Sequence, residues 1–289
     1  MITNSKYTKD FVSDQLTDLK YSQLVEFAVG IRDFKNRVSE EVNQNLLGYL
    51  GIGKFEFITR MRKKFPKAIS SYVEEAAYTQ VYTSYQNRFD TLQRRISFKF
   101  REFQKFNFYK RATKDHKKGD FKSIEFKERS TSLSVCLTYL ARYGNSETLE
   151  YIQKVYDQSS EDKQKFYDNI LRCCQKFGFD RLMGLALRKR ERILAGYSNP
   201  VKFNSLTFSG KTTFLDNIVA FNKNRHSKIS GFITISVPFR KGLDIPVKIS
   251  GKYHGQLTDF SKAKKAQFCY TLKIDELKKR VIVQLCKDG

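Results

Sequence analysis

The chain has 289 residues, with 54 lysines and arginines against 30 carboxylates, a formal net charge of +24. A single-sign excess of this size opposes compaction by self-repulsion and suits a polyanionic partner. Its 40% hydrophobic content, with 25 Phe and 16 Tyr, excludes a wholly disordered chain, and no apolar run reaches the ~18 residues a bilayer span requires.

Met1-Ile2-Thr3-Asn4-Ser5-Lys6 lacks the apolar centre of a signal peptide. Phe27, Ile31, Phe34, Val38 and Val42 then recur at helical spacing. Gly48, Gly51 and Gly53 form a turn-like patch, and Pro66 marks the next boundary. A second, longer stripe runs through Ile69, Val73, Ala76, Val81, Tyr85, Phe89, Leu92, Ile96 and Phe100. Shorter helices are expected over Thr131–Tyr143, Ser146–Tyr156, Ser160–Phe177 and Asp180–Leu194. Ser159 with Asp162 offers a capping box, and Gly178 and Gly196 occupy C-cap positions.

Pro200, Pro238 and Pro246 all fall in the last third, where short alternating runs replace the helical spacing. Residues 232–237 and 245–249 are predicted strands, Pro246 placing the second at an edge or bulge. Residues 268–274 and 281–285 flank a polar turn at Asp275 and predict a hairpin. The fold class expected is α+β: a helical part over 1–199, then a small β-barrel or antiparallel sheet over 200–289.

Between Arg94 and Arg129 cations alternate with aromatic residues. Arg94, Arg95, Lys99, Arg101, Lys105, Lys110 and Arg111 are candidate phosphate contacts. If the long helix continues here, Arg94, Arg101 and Lys105 share one face at spacings of seven and eleven. The interleaved Phe98, Phe100, Phe103 and Phe106 read either as base-stacking rings or, more simply, as core. In the last third Lys241, Lys248, Lys252, Tyr253, His254, Lys264 and Lys265 form a second candidate wall. Lysines around strands also protect sheet edges from aggregation.

Catalytic and metal signals are weak. Ser209-Gly210-Lys211-Thr212-Thr213 resembles the end of a phosphate-binding loop, but the position needing the first glycine is Ser205. His116, His226 and His254 lack HExxH spacing or a cysteine at ligand distance. Glu40-Glu41 and Glu74-Glu75 are sequence neighbours on helices and diverge by about 100°. Cys136, Cys173, Cys174, Cys269 and Cys286 contain no CxxC pair and suit reduced, buried thiols, hence a cytoplasmic protein. No catalytic residue, metal or cofactor is expected.

The segments Gly242-Leu243-Asp244-Ile245-Pro246-Val247-Lys248, Tyr253-His254-Gly255, Phe268–Ile274 and Val281–Val283 together resemble the β-barrel upstream of the nuclease domain in transposon-encoded TnpB proteins and type V CRISPR effectors. The basic helical stretch before it is similar to that family's recognition lobe. The resemblance implies a mobile-element protein holding structured RNA or an RNA–DNA hybrid by backbone shape. In that family cleavage belongs to a following RuvC-like domain, whereas this sequence closes at Lys287-Asp288-Gly289. The expectation is therefore a nuclease-free nucleic-acid binder. The alternatives are the first piece of a split endonuclease completed by a separate nuclease-domain polypeptide, or an accessory protein docking on a protein partner. No membrane partner is expected.

Overall fold

The computed structural model describes residues 8–13, 16–65, 71–98, 124–212, 214–215, 231–235, 243–247 and 268–286. Strand β1 (Thr8–Ser13) precedes helix α1 (Asp18–Gln44), a 3-10 turn (Leu46–Tyr49), α2 (Lys54–Lys64) and α3 (Ser71–Ile96). Four helices follow: α4 (Ile124–Tyr143), α5 (Thr148–Tyr156), α6 (Glu161–Phe177) and α7 (Phe179–Ala195). Strands β2 (Thr207–Thr212), β3 (Phe214–Leu215), β4 (Gly231–Ile235), β5 (Leu243–Val247), β6 (Phe268–Asp275) and β7 (Arg280–Cys286) complete the order. The class is α+β. No helix among the described residues is long and apolar enough to cross a membrane.

The strands form two antiparallel sheets, β1-β7-β6-β2 and β3-β4-β5. In the larger sheet Leu272 and Ile274 of β6 and Val281 and Val283 of β7 are buried, while Lys273 between them is exposed. This is the period-two alternation of a sheet with one face on the core. Its turn is fixed by Asp275, whose carboxylate accepts the Lys278 N–H at 3.2 Å and the Arg280 guanidinium at 3.1 Å. Those contacts hold the Asp275 carboxyl below its ordinary range despite partial desolvation. β5 is an edge of the smaller sheet, as Pro246 requires.

The chain divides into two compact units: Met1–Gln44, Ile52–Tyr85 and Pro200–Gly289 make the first, Asn45–Gly51 and Gln86–Asn199 the second. One break between the units falls between Asn199 and Pro200, and the N-terminal helices group with the strands. The reason is pairing and burial. β1 hydrogen-bonds along β7 from Thr8–Cys286 to Ser13–Val281. In α1 the buried stripe Leu24, Ala28, Ile31, Phe34, Val38 and Val42 belongs to the same unit, and Phe27 packs edge-on against Phe208 of β2 at 5.2 Å. Burying such side chains is worth about 1.5–3 kcal/mol each.

Within the first unit a polar seam joins α1, α3 and β2. Lys35 is 2% exposed, donates to the Thr207 carbonyl at 2.7 Å and the Gln80 amide oxygen at 3.2 Å, and lies 5.3 Å from the Phe203 ring centroid. Gln80 donates to Ser209 at 3.1 Å, whose hydroxyl meets Thr271 at 2.9 Å. Burial lowers the Lys35 ammonium to about 8.

The second unit packs α4 and its neighbours around Leu133, Cys136, Leu137, Leu140, Ile152, Ile170 and Leu182. α5, α6 and α7 sit within two residues of their expected spans, whereas α4 begins seven residues before the expected Thr131; the caps also differ. Ser160, not Ser159, begins α6, and the Ser159 hydroxyl instead donates to the Val155 carbonyl at 2.8 Å. Gly178 ends α6 at φ +82, a conformation that favours glycine, whereas Gly196 has φ −74 and needs none of that freedom. Cys136, Cys173 and Cys174 are buried free thiols.

Candidate nucleic-acid interface

Arg94 and Arg95 occupy the last turn of α3 and are exposed. There they complement the carbonyl end of the helix, which draws about half a unit of negative charge. The Arg94 guanidinium also donates to the Asp90 carbonyl at 3.2 Å. α3 ends at Ile96, so the extended helical face expected to carry Arg94, Arg101 and Lys105 does not form on this element. The stop has a local cause. The Ser97 hydroxyl returns to the Gln93 carbonyl at 2.9 Å, and Phe98 turns inward, donating its N–H to Thr138 at 3.0 Å. Ser134 closes the same corner by donating to the Phe98 carbonyl. Phe98 is thereby core, not a stacking surface.

Lys99, Arg101, Lys105, Lys110 and Arg111 of the first wall lie outside the described residues. So do Lys241, Lys248, Lys252, Tyr253, His254, Lys264 and Lys265 of the second, together with His116 and His226. The phosphate-loop-like segment is a strand. Ser209-Gly210-Lys211-Thr212 pairs antiparallel with Phe268–Thr271. A Cβ at Gly210 would stand 2.8 Å from the Tyr270 hydroxyl, so this glycine admits a tyrosine ring and not a phosphate.

The residues missed by the sequence reading lie on α7. Arg181, Arg188 and Arg192 recur at seven and four residues and fall within about 40° on one helix face. All three are exposed, and Arg188 and Arg192 have no ion-pair partner among the described residues. Their neighbours do structural work. Lys189 donates to the Ser97 carbonyl at 2.7 Å and sits 4.0 Å from the Phe98 ring centroid. Arg190 donates to the Gly144 carbonyl at 3.0 Å. These two cations lock α7 against the ends of α3 and α4. The signal was present as the run Arg188-Lys189-Arg190-Glu191-Arg192, whose alternate positions belong to opposite sides of a helix.

The first unit distributes its charge differently. Arg60 pairs with Glu56 at 2.5 Å, Arg62 reaches Glu75 at 3.1 Å and Glu74 at 3.6 Å, and Lys64 pairs with Glu41. The described face of α2 is thus largely neutralised by Glu56 and by carboxylates of α1 and α3, leaving α7 as the more strongly cationic helix surface. Five cations on α7 face two acidic residues within it. No protein-family model matches the chain, and no curated protein matches it.

Proposed function

We propose that the protein binds structured RNA or an RNA–DNA hybrid, chiefly through the phosphate backbone, as a TnpB-like, mobile-element-associated protein of the cytoplasm. The observation that carries this reading is the excess of 24 cations, together with the arginine face Arg181, Arg188 and Arg192 on α7. Each neutralised phosphate releases condensed counterions, so an exposed cationic face gains affinity without reading bases. Arg94 and Arg95 add two exposed guanidiniums in the same unit. The candidate residues of 99–111 and 241–265 would extend the contact, and the resemblance of the C-terminal segment favours RNA or a hybrid over duplex DNA.

Fluorescence anisotropy with an RNA hairpin, an RNA–DNA hybrid and duplex DNA, each across a salt series, tests the proposal. Four to six phosphate contacts give a slope of about −4 to −5 in log affinity against log salt. Affinity that ignores salt, or preference for duplex DNA over both other probes, would defeat it.

A further inference from the structure

A pocket of about 410 Å³ lies in the second unit, lined by Tyr139 and Tyr143 of α4, Asn145 and Glu147 of the connecting loop, and Tyr151 and Tyr167 of α5 and α6. Its walls are aromatic rings set at steep angles. Tyr139 meets Tyr143 at 5.3 Å between centroids with 50° between planes, and Tyr167 at 6.4 Å with 76°. Tyr151 lines the same space, and Tyr143 and Tyr151 are 54% and 55% exposed. A planar base needs a slot with near-parallel walls. Rings inclined like these form a corner, the shape that surrounds a compact rounded group.

The electrostatics select the sign of that group. Ring faces carry the negative part of the aromatic quadrupole and attract cations. Burial and the neighbouring phenols push the Tyr139 hydroxyl up to about 12, so it adds no formal charge at neutral pH. The Glu147 carboxylate is exposed at the pocket, with no ion-pair partner among the described residues. The amino end of α5 opposes a cation, but by only about half a charge, and its Glu147 N–H is already taken by the Asn145 side-chain oxygen at 3.0 Å. The chain's positive charge elsewhere is screened beyond about 8 Å at physiological salt. The Tyr143 ring already attracts one cation from outside the pocket lining: the Arg142 guanidinium carbon lies 5.0 Å from its centroid. That like charge opposes a ligand cation there and leaves the Tyr139, Tyr151 and Tyr167 rings as the main walls.

From this corner of rings and its single carboxylate we infer that the pocket binds an alkylated ammonium group. Alkylation matters because a bare ammonium is strongly hydrated and resists transfer to an aromatic box. Methyl groups make the cation weakly hydrated and let it contact ring faces directly. The pocket holds such a headgroup with room for the chain that bears it, falling within the usual range of about 300–1,000 Å³ for small-ligand sites. This inference stands apart from the nucleic-acid reading.

The chain has no tryptophan, so its intrinsic emission comes from 16 tyrosines, four of which line the pocket; binding is therefore read by calorimetry, with the change in tyrosine emission beside it. The full chain is titrated with choline, with its neutral carbon isostere 3,3-dimethylbutanol, and with a trimethyl-lysine peptide beside the unmethylated peptide, at fixed ionic strength. Saturable choline binding about tenfold tighter than the isostere is expected. Glu147→Gln and Tyr151→Leu, both at exposed positions, should each weaken choline about three- to tenfold with the melting temperature unchanged. If the trimethyl-lysine peptide binds more tightly than choline, the source is a modified side chain; the reverse order identifies a small molecule. Equal binding of the isostere, indifference to both substitutions, or tighter binding of guanosine monophosphate would each overturn the assignment.

Discussion

The hydroxyl of Tyr85 stands 2.9 Å from both the carbonyl and the hydroxyl of Ser39, and it also accepts the Val201 N–H at 3.1 Å. Ser39 in turn donates to the Val201 carbonyl at 2.5 Å. A buried phenol is thus fully engaged, tying α3 to α1 and to the segment before β2. Only seven residues away, Tyr78 is equally buried yet its hydroxyl has no hydrogen-bond partner among the described residues.

The two tyrosines should therefore respond oppositely to loss of the hydroxyl. Tyr85→Phe strands the Val201 N–H and is expected to cost about 1–3 kcal/mol. Tyr78→Phe removes a buried hydroxyl with no hydrogen bond among the described residues, so it should be neutral or stabilising by up to about 1 kcal/mol. Urea unfolding of both variants beside the parent decides the matter; a larger loss at Tyr78 would contradict it.

Lys35 sets a pH dependence. Its native ammonium titrates at about 8, against an ordinary lysine value of 10.5. Between those values the unfolded chain holds more protons, so this residue makes stability rise with pH, by about 3 kcal/mol over the whole interval. The buried phenols of Tyr78 and Tyr139, pushed up to about 12, act in the other direction once pH exceeds 10. Thermal midpoints recorded from pH 7.5 to 11 should peak near pH 10. Lys35→Met should flatten the rising limb and leave the falling one.

Gly210→Ala places a methyl group 2.8 Å from the Tyr270 hydroxyl and 3.0 Å from the ring carbon bearing it. Tyr270 is 1% exposed and cannot swing aside. A loss of about 1–3 kcal/mol is expected, of the size seen for overpacked cores. A change within experimental error would mean that β2 and β6 are less tightly apposed than described.

Replacing Arg188 and Arg192 together with glutamine should lower affinity for every nucleic acid tested to a similar degree. The salt slope should become shallower by about two, one for each lost phosphate contact. An unaltered slope would remove α7 from the proposed interface while leaving the charge-driven mode to other residues.

Much of the helical part was legible because its stripes are dense. Phe34, Val38 and Val42 of α1, and Val81, Tyr85, Phe89 and Leu92 of α3, are buried as their spacing predicts. The hairpin of β6 and β7 was equally plain, with apolar, β-branched-containing runs on either side of a polar turn at Asp275. β1 was hidden because Thr8-Lys9-Asp10-Phe11-Val12-Ser13 is short and polar, and only its distant partner makes it a strand. β2 was masked by Gly210 and Lys211, residues that discourage strands unless a ring needs the space. On α7, the cations that hold the fold and those that face outward are the same residue types in one run. Spacing alone separates the exposed side, Arg181, Arg188 and Arg192, while only the structure shows that Lys189 and Arg190 are anchored.

The ladder between Thr8–Ser13 and Val281–Cys286 joins segments separated by nearly the whole polypeptide. During synthesis, β1 leaves the ribosome long before the strand that completes its sheet exists, so the larger sheet cannot close until residues 280–286 have emerged. Such remote pairing slows folding through the entropy of bringing distant segments together. It also makes the residue 8 and residue 286 ends near neighbours, the arrangement from which a circularly permuted chain with a short linker can be built.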